Sequence, residues 1–302
     1  MFVKLYITTF LVLFASVTAT AADDIVVQQQ RALFRAADKA LTLGDLASYN
    51  ALRADLARYP LLPYLEYKAL VQRLEQASDQ EIESFLLRFS DTPLSERLRY
   101  QWLKRAAKRG DDATLIRFYR GTEDLDLECQ VRASLLRAAN TEKAIADFAQ
   151  TWTIGSVLPS SCDPVISYWQ QQNLLTPELV WQRIRIATRA SNSRLVNELV
   201  KLLPATSKPA ALLYPRVHAN PGLISDENLF SVGDSKYREI ALYGLQRLAY
   251  RDLTAALSLW NVLEQRFQFS PSERAQTQIL MGILLAQDQR EEALPWLMNV
   301  NA

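Results

Sequence analysis

The sequence predicts an all-α chain, a right-handed superhelix of stacked helix hairpins. Three observations predict it. Capping side chains stand before proline at one helix start after another; short polar turns separate segments with apolar residues at helical spacing; and alternating strand-like runs are scarce, with only 8 Gly in 302 residues. Helix occupies about a third of an average globular chain, and more than about 60% is expected here.

The elements follow in order. At the N-terminus, Lys4 precedes an apolar run from Leu5 to Val17 that ends in Ala19-Thr20-Ala21-Ala22, ahead of Asp23-Asp24. This is the charged region, apolar core and small-residue cut of a secretory signal, with cleavage expected after Ala21. The chain then divides into a signal peptide, residues 1–21, and one helical domain, residues 22–302. The apolar run has about 13 residues, where a membrane span needs about 20. No cysteine adjoins the cut to carry a lipid, so no stable membrane anchor is expected.

Gly44-Asp45 separates helical segments Ala32–Leu43 and Leu46–Leu56, and Gly110-Asp111 separates Glu96–Lys108 from Ala113–Tyr119. Glycine accepts the left-handed position that closes one helix, and aspartate caps the next. A helix over Asp79–Phe89 presents Ile82, Phe85 and Leu86 on one face. Thr92-Pro93, Asp163-Pro164, Thr176-Pro177 and Ser270-Pro271 each place a capping residue before a proline at the first helical position. Glu273 completes a capping box with Ser270. Behind these starts lie Leu94, Leu98, Trp102 and Leu103 in one case, and Leu179, Trp181, Ile184 and Ile186 in another. Ser191-Asn192-Ser193 turns the chain between Trp181–Arg189 and Leu195–Leu202; Arg251-Asp252 and Asp288-Gln289 do so near the C-terminus. Pro204, Pro209, Pro215, Pro221, Gly222 and Gly233 predict short helices and loops, without a domain boundary. A last helix is expected over Arg290–Val300. Turn spacings of about 66, 82, 60 and 36 residues describe a degenerate tetratricopeptide-like array, not a strict repeat.

Composition excludes several functions. The 34 basic and 33 acidic residues nearly cancel, and no basic cluster interleaves with aromatics, so no nucleic-acid partner is expected. The basic stretch Lys104–Arg109 reads as a solvated helix end, where cations favour the macrodipole. Cys129 and Cys162, the only cysteines, read as a disulfide in an oxidising compartment, closing a loop of about 34 residues worth roughly 2–4 kcal/mol. They are too few, and too far from the lone His218, to hold a metal. The neighbourhood of His218, Tyr214–Pro221, reads as a helix end or loop, and without a second imidazole no other catalytic triad can be assembled. No glycine-rich phosphate loop is present. Glu83-Ser84 resembles the acid/base dipeptide of lysozyme-like transglycosylases, but no Gly-x-x-Gln-x-x-Pro segment follows it. No catalytic residue, cofactor site or metal site is therefore assigned.

Several ordered motifs carry a family resemblance. Tyr59-Pro60-Leu61-Leu62-Pro63-Tyr64-Leu65-Glu66-Tyr67, with the preceding Leu43-Gly44-Asp45, is similar to the signature near the start of the soluble lytic murein transglycosylases of Gram-negative bacteria. So are Asp91–Arg99 with Trp102-Leu103, Arg109-Gly110-Asp111, Leu158-Pro159-x-x-Cys162-Asp163-Pro164, and Leu174–Leu179 with Trp181, Arg183 and Ile184. The match is strong over residues 28–203 and weaker beyond. The resemblance implies a periplasmic, U-shaped helical scaffold closed by a linker domain. On it sits a lysozyme-like domain that cuts peptidoglycan between N-acetylmuramic acid and N-acetylglucosamine, without a cofactor, leaving a 1,6-anhydro end. No counterpart of the linker or catalytic domain is read in this sequence, so none of that family's catalytic residues is carried over.

Two readings stay open. The chain is the scaffold of such an enzyme, contacting glycan strands and a linker or catalytic domain or other cell-wall enzymes, and inactive alone; or it is a stand-alone periplasmic helical-repeat adaptor. A stand-alone array needs a polar capping repeat. The apolar Ala293, Leu294, Trp296 and Leu297 near the end favour the first reading.

Overall fold

The computed structural model describes residues 26–298 and 300. The expected signal peptide, residues 1–21, lies outside the described residues. Those described are 75% helix, and no strand occurs among them. The chain divides into two compact units, one ending at Ser134 and the other beginning at Leu135.

The first unit starts with α1 (residues 26–42) and α2 (Leu46–Asp55), joined where the sequence places Gly44-Asp45. Gly44 takes φ 75°, and the Asp45 carboxylate accepts the Ser48 N–H at 3.0 Å. Then come α3 (Leu62–Gln72), α4 (Asp79–Arg88), α5 (Pro93–Arg109), α6 (Asp112–Phe118) and α7 (Leu125–Arg137), the last crossing the boundary between units. Gly110 repeats the left-handed turn at φ 67°, and Asp111 caps α6 through Thr114 N–H. The α1–α3 core packs Ala37, Leu41, Tyr49, Leu56, Leu62 and Leu65, all buried. Each helix shows one apolar face that only its neighbours cover, the condition that makes hairpins stack.

The Tyr59–Tyr67 motif gains a physical meaning here. Pro63 opens α3, where a missing N–H costs nothing. Leu62 and Leu65 enter the core. Tyr59 packs on Phe34 and Tyr67 on Phe85. Glu66 is buried among arginines.

The second unit holds α8 (Thr141–Ile145), α9 (Phe148–Trp152), α10 (Asp163–Gln171), α11 (Pro177–Arg189), α12 (Ser193–Lys201), α13 (Lys208–Ala219), α14 (Ser235–Ala249), α15 (Leu253–Phe267), α16 (Pro271–Gln287) and α17 (Ala293–Met298). From α11 onward each helix packs on the next, and α11 also touches α13 and α14 touches α16. Trp181, Ile184, Tyr214, Val217 and Ile240 are fully buried in this stack. Arg183 is buried too: its guanidinium lies 4.2 Å from the centre of the Trp152 ring, and Nη2 donates to the Ser156 carbonyl at 3.1 Å. Burial lowers its pKa to about 10, which leaves it charged at neutral pH.

Thr176 caps α11 and Ser270 forms the expected capping box with Glu273. Four details differ from expectation. Thr92 stands at the N-cap of α5, but its hydroxyl donates back to the Phe89 carbonyl at 2.8 Å and caps no helix N–H. Asp163 is the first residue of α10 and not its cap, because a short 3-10 turn over Ser160–Cys162 leads directly into the helix. The proline-rich stretch contains α13, a regular 12-residue helix that tolerates Pro215 in its interior. The last helix is only Ala293–Met298. Pro295 explains it, since proline fits only the first turn of a helix.

Cys129 and Cys162 are both buried. Both are disulfide-bonded, and no described cysteine is free.

Candidate functional site

A cleft of about 570 Å³ in the first unit lies between α2, α3 and α4. On α4 the residues Glu81, Ser84, Phe85 and Arg88 fall at i, i+3, i+4 and i+7, so one helical face delivers all four. α2 delivers Tyr49, Asn50 and Arg53; α3 delivers Glu66, with Arg73 at its C-terminal cap.

Charge dominates the cleft. Glu66 Oε1 accepts from Arg53 Nη2 at 2.7 Å and Nε at 3.0 Å, and from Arg88 Nη2 at 3.2 Å. Arg88 Nη1 reaches Oε2 at 3.0 Å. Such paired, charge-assisted bonds are the strong ones. Glu81 meets Arg73 Nη2 at 2.6 Å and takes the Ser78 backbone N–H at 2.9 Å as half of a capping box. Arg73 chiefly, then that backbone N–H, hold the Glu81 carboxyl down at about 2. Three arginines thus face two carboxylates. Glu81 is held ionised and so is not placed to give a proton to a leaving group, and both oxygens of Glu66 are occupied by guanidinium N–H groups. The surplus cation, with Asn50, Gln80 and Ser84, suits a polar or anionic ligand.

Glu83 points elsewhere. It pairs with Arg117 Nη2 at 2.6 Å, both side chains well exposed, and it does not line the cleft. His218 sits in the last turn of α13, with Ser191 Oγ 3.2 Å from Nε2. The side chains acting on its charge are Arg247 and Arg251, with no carboxylate. No group of residues able to hold a metal ion is found among the described residues, and no described helix is long and apolar enough to cross a membrane.

No family model matches the chain. Among curated proteins it is 22% identical over 285 residues to the soluble lytic murein transglycosylase of Escherichia coli K12, covering 93% of this chain and 44% of that protein. It is 28% identical over 153 residues to the Salmonella typhimurium protein of the same name, covering 50% of this chain and 23% of that one. Among solved structures, an inactive mutant of lytic transglycosylase Slt from Pseudomonas aeruginosa matches with TM-score 0.72 and 32% identity over 89% of this chain and 44% of that one. The chain is a relative of the soluble lytic murein transglycosylases. The 70-kDa soluble lytic transglycosylase of Escherichia coli shares the fold as well, with TM-score 0.72 and 21% identity over 90% of this chain. These matches bear out the all-α fold of stacked hairpins. The chain spans less than half the length of these transglycosylases.

The sequence does not single out Arg53, Arg73, Glu81 or Arg88. Only Glu66 carries a signal: an acidic residue three residues after a helix-opening proline, inside the Tyr59–Tyr67 motif and between two buried leucine turns. An acid placed there has to find cations.

Proposed function

We propose that residues 22–302 are the helical scaffold of a periplasmic lytic murein transglycosylase system, exported by the signal at residues 1–21. In this reading the scaffold contacts peptidoglycan glycan strands and a linker or catalytic domain, and by itself binds without cutting. The observation that carries the reading is the match to soluble lytic murein transglycosylases over 93% of the chain. That family, by the resemblance described above, cleaves between N-acetylmuramic acid and N-acetylglucosamine and forms a 1,6-anhydro product. Such cleavage needs a carboxylic acid held protonated near neutral pH, in surroundings that raise its pKa. Glu81 has the opposite environment, its carboxyl held at about 2 chiefly by Arg73, and Arg53 and Arg88 occupy the oxygens of Glu66. This supports binding and speaks against proton donation. The surplus guanidinium charge and the amides of Asn50 and Gln80 supply donors for sugar hydroxyls and peptide carboxylates.

Cosedimentation with purified sacculi tests it. The mature chain should pellet with them, less so at high salt because screening weakens exposed charges. Arg53→Gln/Arg88→Gln should reduce the pelleted fraction severalfold while the helical circular-dichroism signal is kept. A chain that stays in the supernatant at low salt contradicts the reading.

A further inference from the structure

A second pocket, in the other unit, has the chemistry of an anion site. It measures about 220 Å³, between the α11–α12 turn, the end of α13, and α14. Arg247, His218, Ser191, Ser193 and Thr188 line it, with Pro215 and Ala219 as its apolar part.

Four features point the same way. The first is uncompensated charge. Among the described residues no salt bridge involves Arg189, Arg247 or Arg251. Arg185, one turn before Arg189 on the same helix, is by contrast matched to Glu178 and Glu239. Arg247 spends Nε on the His218 carbonyl at 2.6 Å, and Arg251 spends Nη1 on the Ala219 carbonyl at 3.0 Å; both guanidinium groups are thereby fixed on the last carbonyls of α13, beside the pocket, with no carboxylate paired to them. The second is the start of α12, a nine-residue helix. Asn192 Oδ1 caps the Leu195 N–H, so the N–H groups of Ser193 and Arg194 keep the orphan status of a first turn, at the positive end of the macrodipole. The third is Thr188, 1% exposed, whose Oγ1 has no hydrogen-bond partner. The fourth is a relay: Ser191 Oγ lies 3.2 Å from His218 Nε2, and Tyr243 Oη 2.5 Å from Nδ1.

We infer that this pocket binds a small carboxylate bearing a short apolar group, of the kind found at the C-terminus of a peptide. The carboxylate would meet Arg247 and the α12 N-terminus, and the short group would lie on Pro215 and Ala219. The inference rests on this pocket's own lining and not on the proposed function. His218 reports on it. Burial first, then Arg247 and Arg251, lower its pKa. The groups facing it are Ser191, Tyr243, Arg247 and Arg251, with Arg189 over the Tyr243 ring. A bound anion opposes those cations, so it raises the His218 pKa and binds more tightly as pH falls through that value.

His218 is the only histidine, so its C2 proton gives one resolved NMR signal in the untagged mature chain. Titrating N-acetylalanine at fixed ionic strength should shift that signal saturably and raise the His218 midpoint by about one pH unit, equivalent to tenfold tighter binding to the protonated form. Arg247→Gln should weaken binding at least tenfold, about 1.4 kcal/mol. Ser191→Gly, which suits a backbone φ of 56°, should weaken it severalfold with the fold intact, and decides the matter if Arg247→Gln does not fold. No saturable response to N-acetylalanine, or saturation unchanged in both variants, overturns the site. Saturation by inorganic phosphate but not by N-acetylalanine overturns the carboxylate assignment.

Discussion

Replacing Glu66 with Gln keeps the shape of the side chain and removes the charge that organises the α2–α4 cleft. The carboxylate accepts four guanidinium N–H groups at 2.7–3.2 Å. A glutamine carbonyl in the Oε1 position keeps the bonds from Arg53 and from Arg88 Nη2, but the NH₂ then faces Arg88 Nη1, donor against donor. The magnitude lies between two limits. A fully exposed ion pair is worth about 0.2–1 kcal/mol, and removing one partner of a buried pair costs about 3–5 kcal/mol. Glu66 is 9% exposed while Arg53 and Arg88 are 43% and 48% exposed, so solvent screens half of the cluster and a loss of about 2 kcal/mol follows. Urea unfolding followed by circular dichroism reads it. Combining Glu66→Gln with Arg88→Gln should give less than the sum of the two single losses, with a coupling of about 1 kcal/mol. A Glu66→Gln loss under about 0.5 kcal/mol, or strict additivity, would refute the reasoning.

Gly244→Ala should destabilise the second unit by about 1–3 kcal/mol through overpacking, since a Cβ there would sit 2.6 Å from Val217 Cγ1 and closer still to Ile224 Cγ2; unchanged thermal stability would argue against that close approach. Native mature protein should show no reactive thiol, and reduction should lower stability by roughly 2–4 kcal/mol, read by urea midpoints with and without dithiothreitol. Acid should weaken the first unit in a defined window. Glu81 is held near 2 by Arg73 and the Ser78 N–H, and Asp124 near 2 by Tyr100, the Leu127 N–H and Lys104. Depressed carboxylates contribute fully above their unfolded pKa of about 4 and lose that contribution as pH falls through the folded value. The fall should therefore lie between about pH 4.5 and 2 and be smaller in Glu81→Gln; a profile flat down to pH 2 counts against it.

Much of the fold was legible because its signals are local. Gly44-Asp45, Gly110-Asp111, Thr176-Pro177 and Ser270-x-x-Glu273 act within four residues of themselves, and each appears where the sequence places it. Turns that use the left-handed region without glycine or asparagine, at Ala139 and Gln268, carry no such mark, because neither residue type favours that conformation. The cleft was less legible still. Arg53 and Arg88 lie 13 and 22 residues from Glu66, and helical periodicity says which face a residue occupies but not which other helix it meets. Glu66 stood inside a recognised motif, yet its partners are fixed only once α2, α3 and α4 pack together.

The central claim, a scaffold that holds murein without cutting it, is tested most directly by muropeptide release. The purified mature chain is incubated with isolated peptidoglycan, and the soluble fraction is analysed by mass spectrometry for 1,6-anhydromuropeptides. The account predicts no release above a buffer control. Release abolished by Glu83→Gln would restore Glu83 as the acid, and release indifferent to that change would place a catalytic carboxyl group elsewhere in the chain; either result contradicts the account.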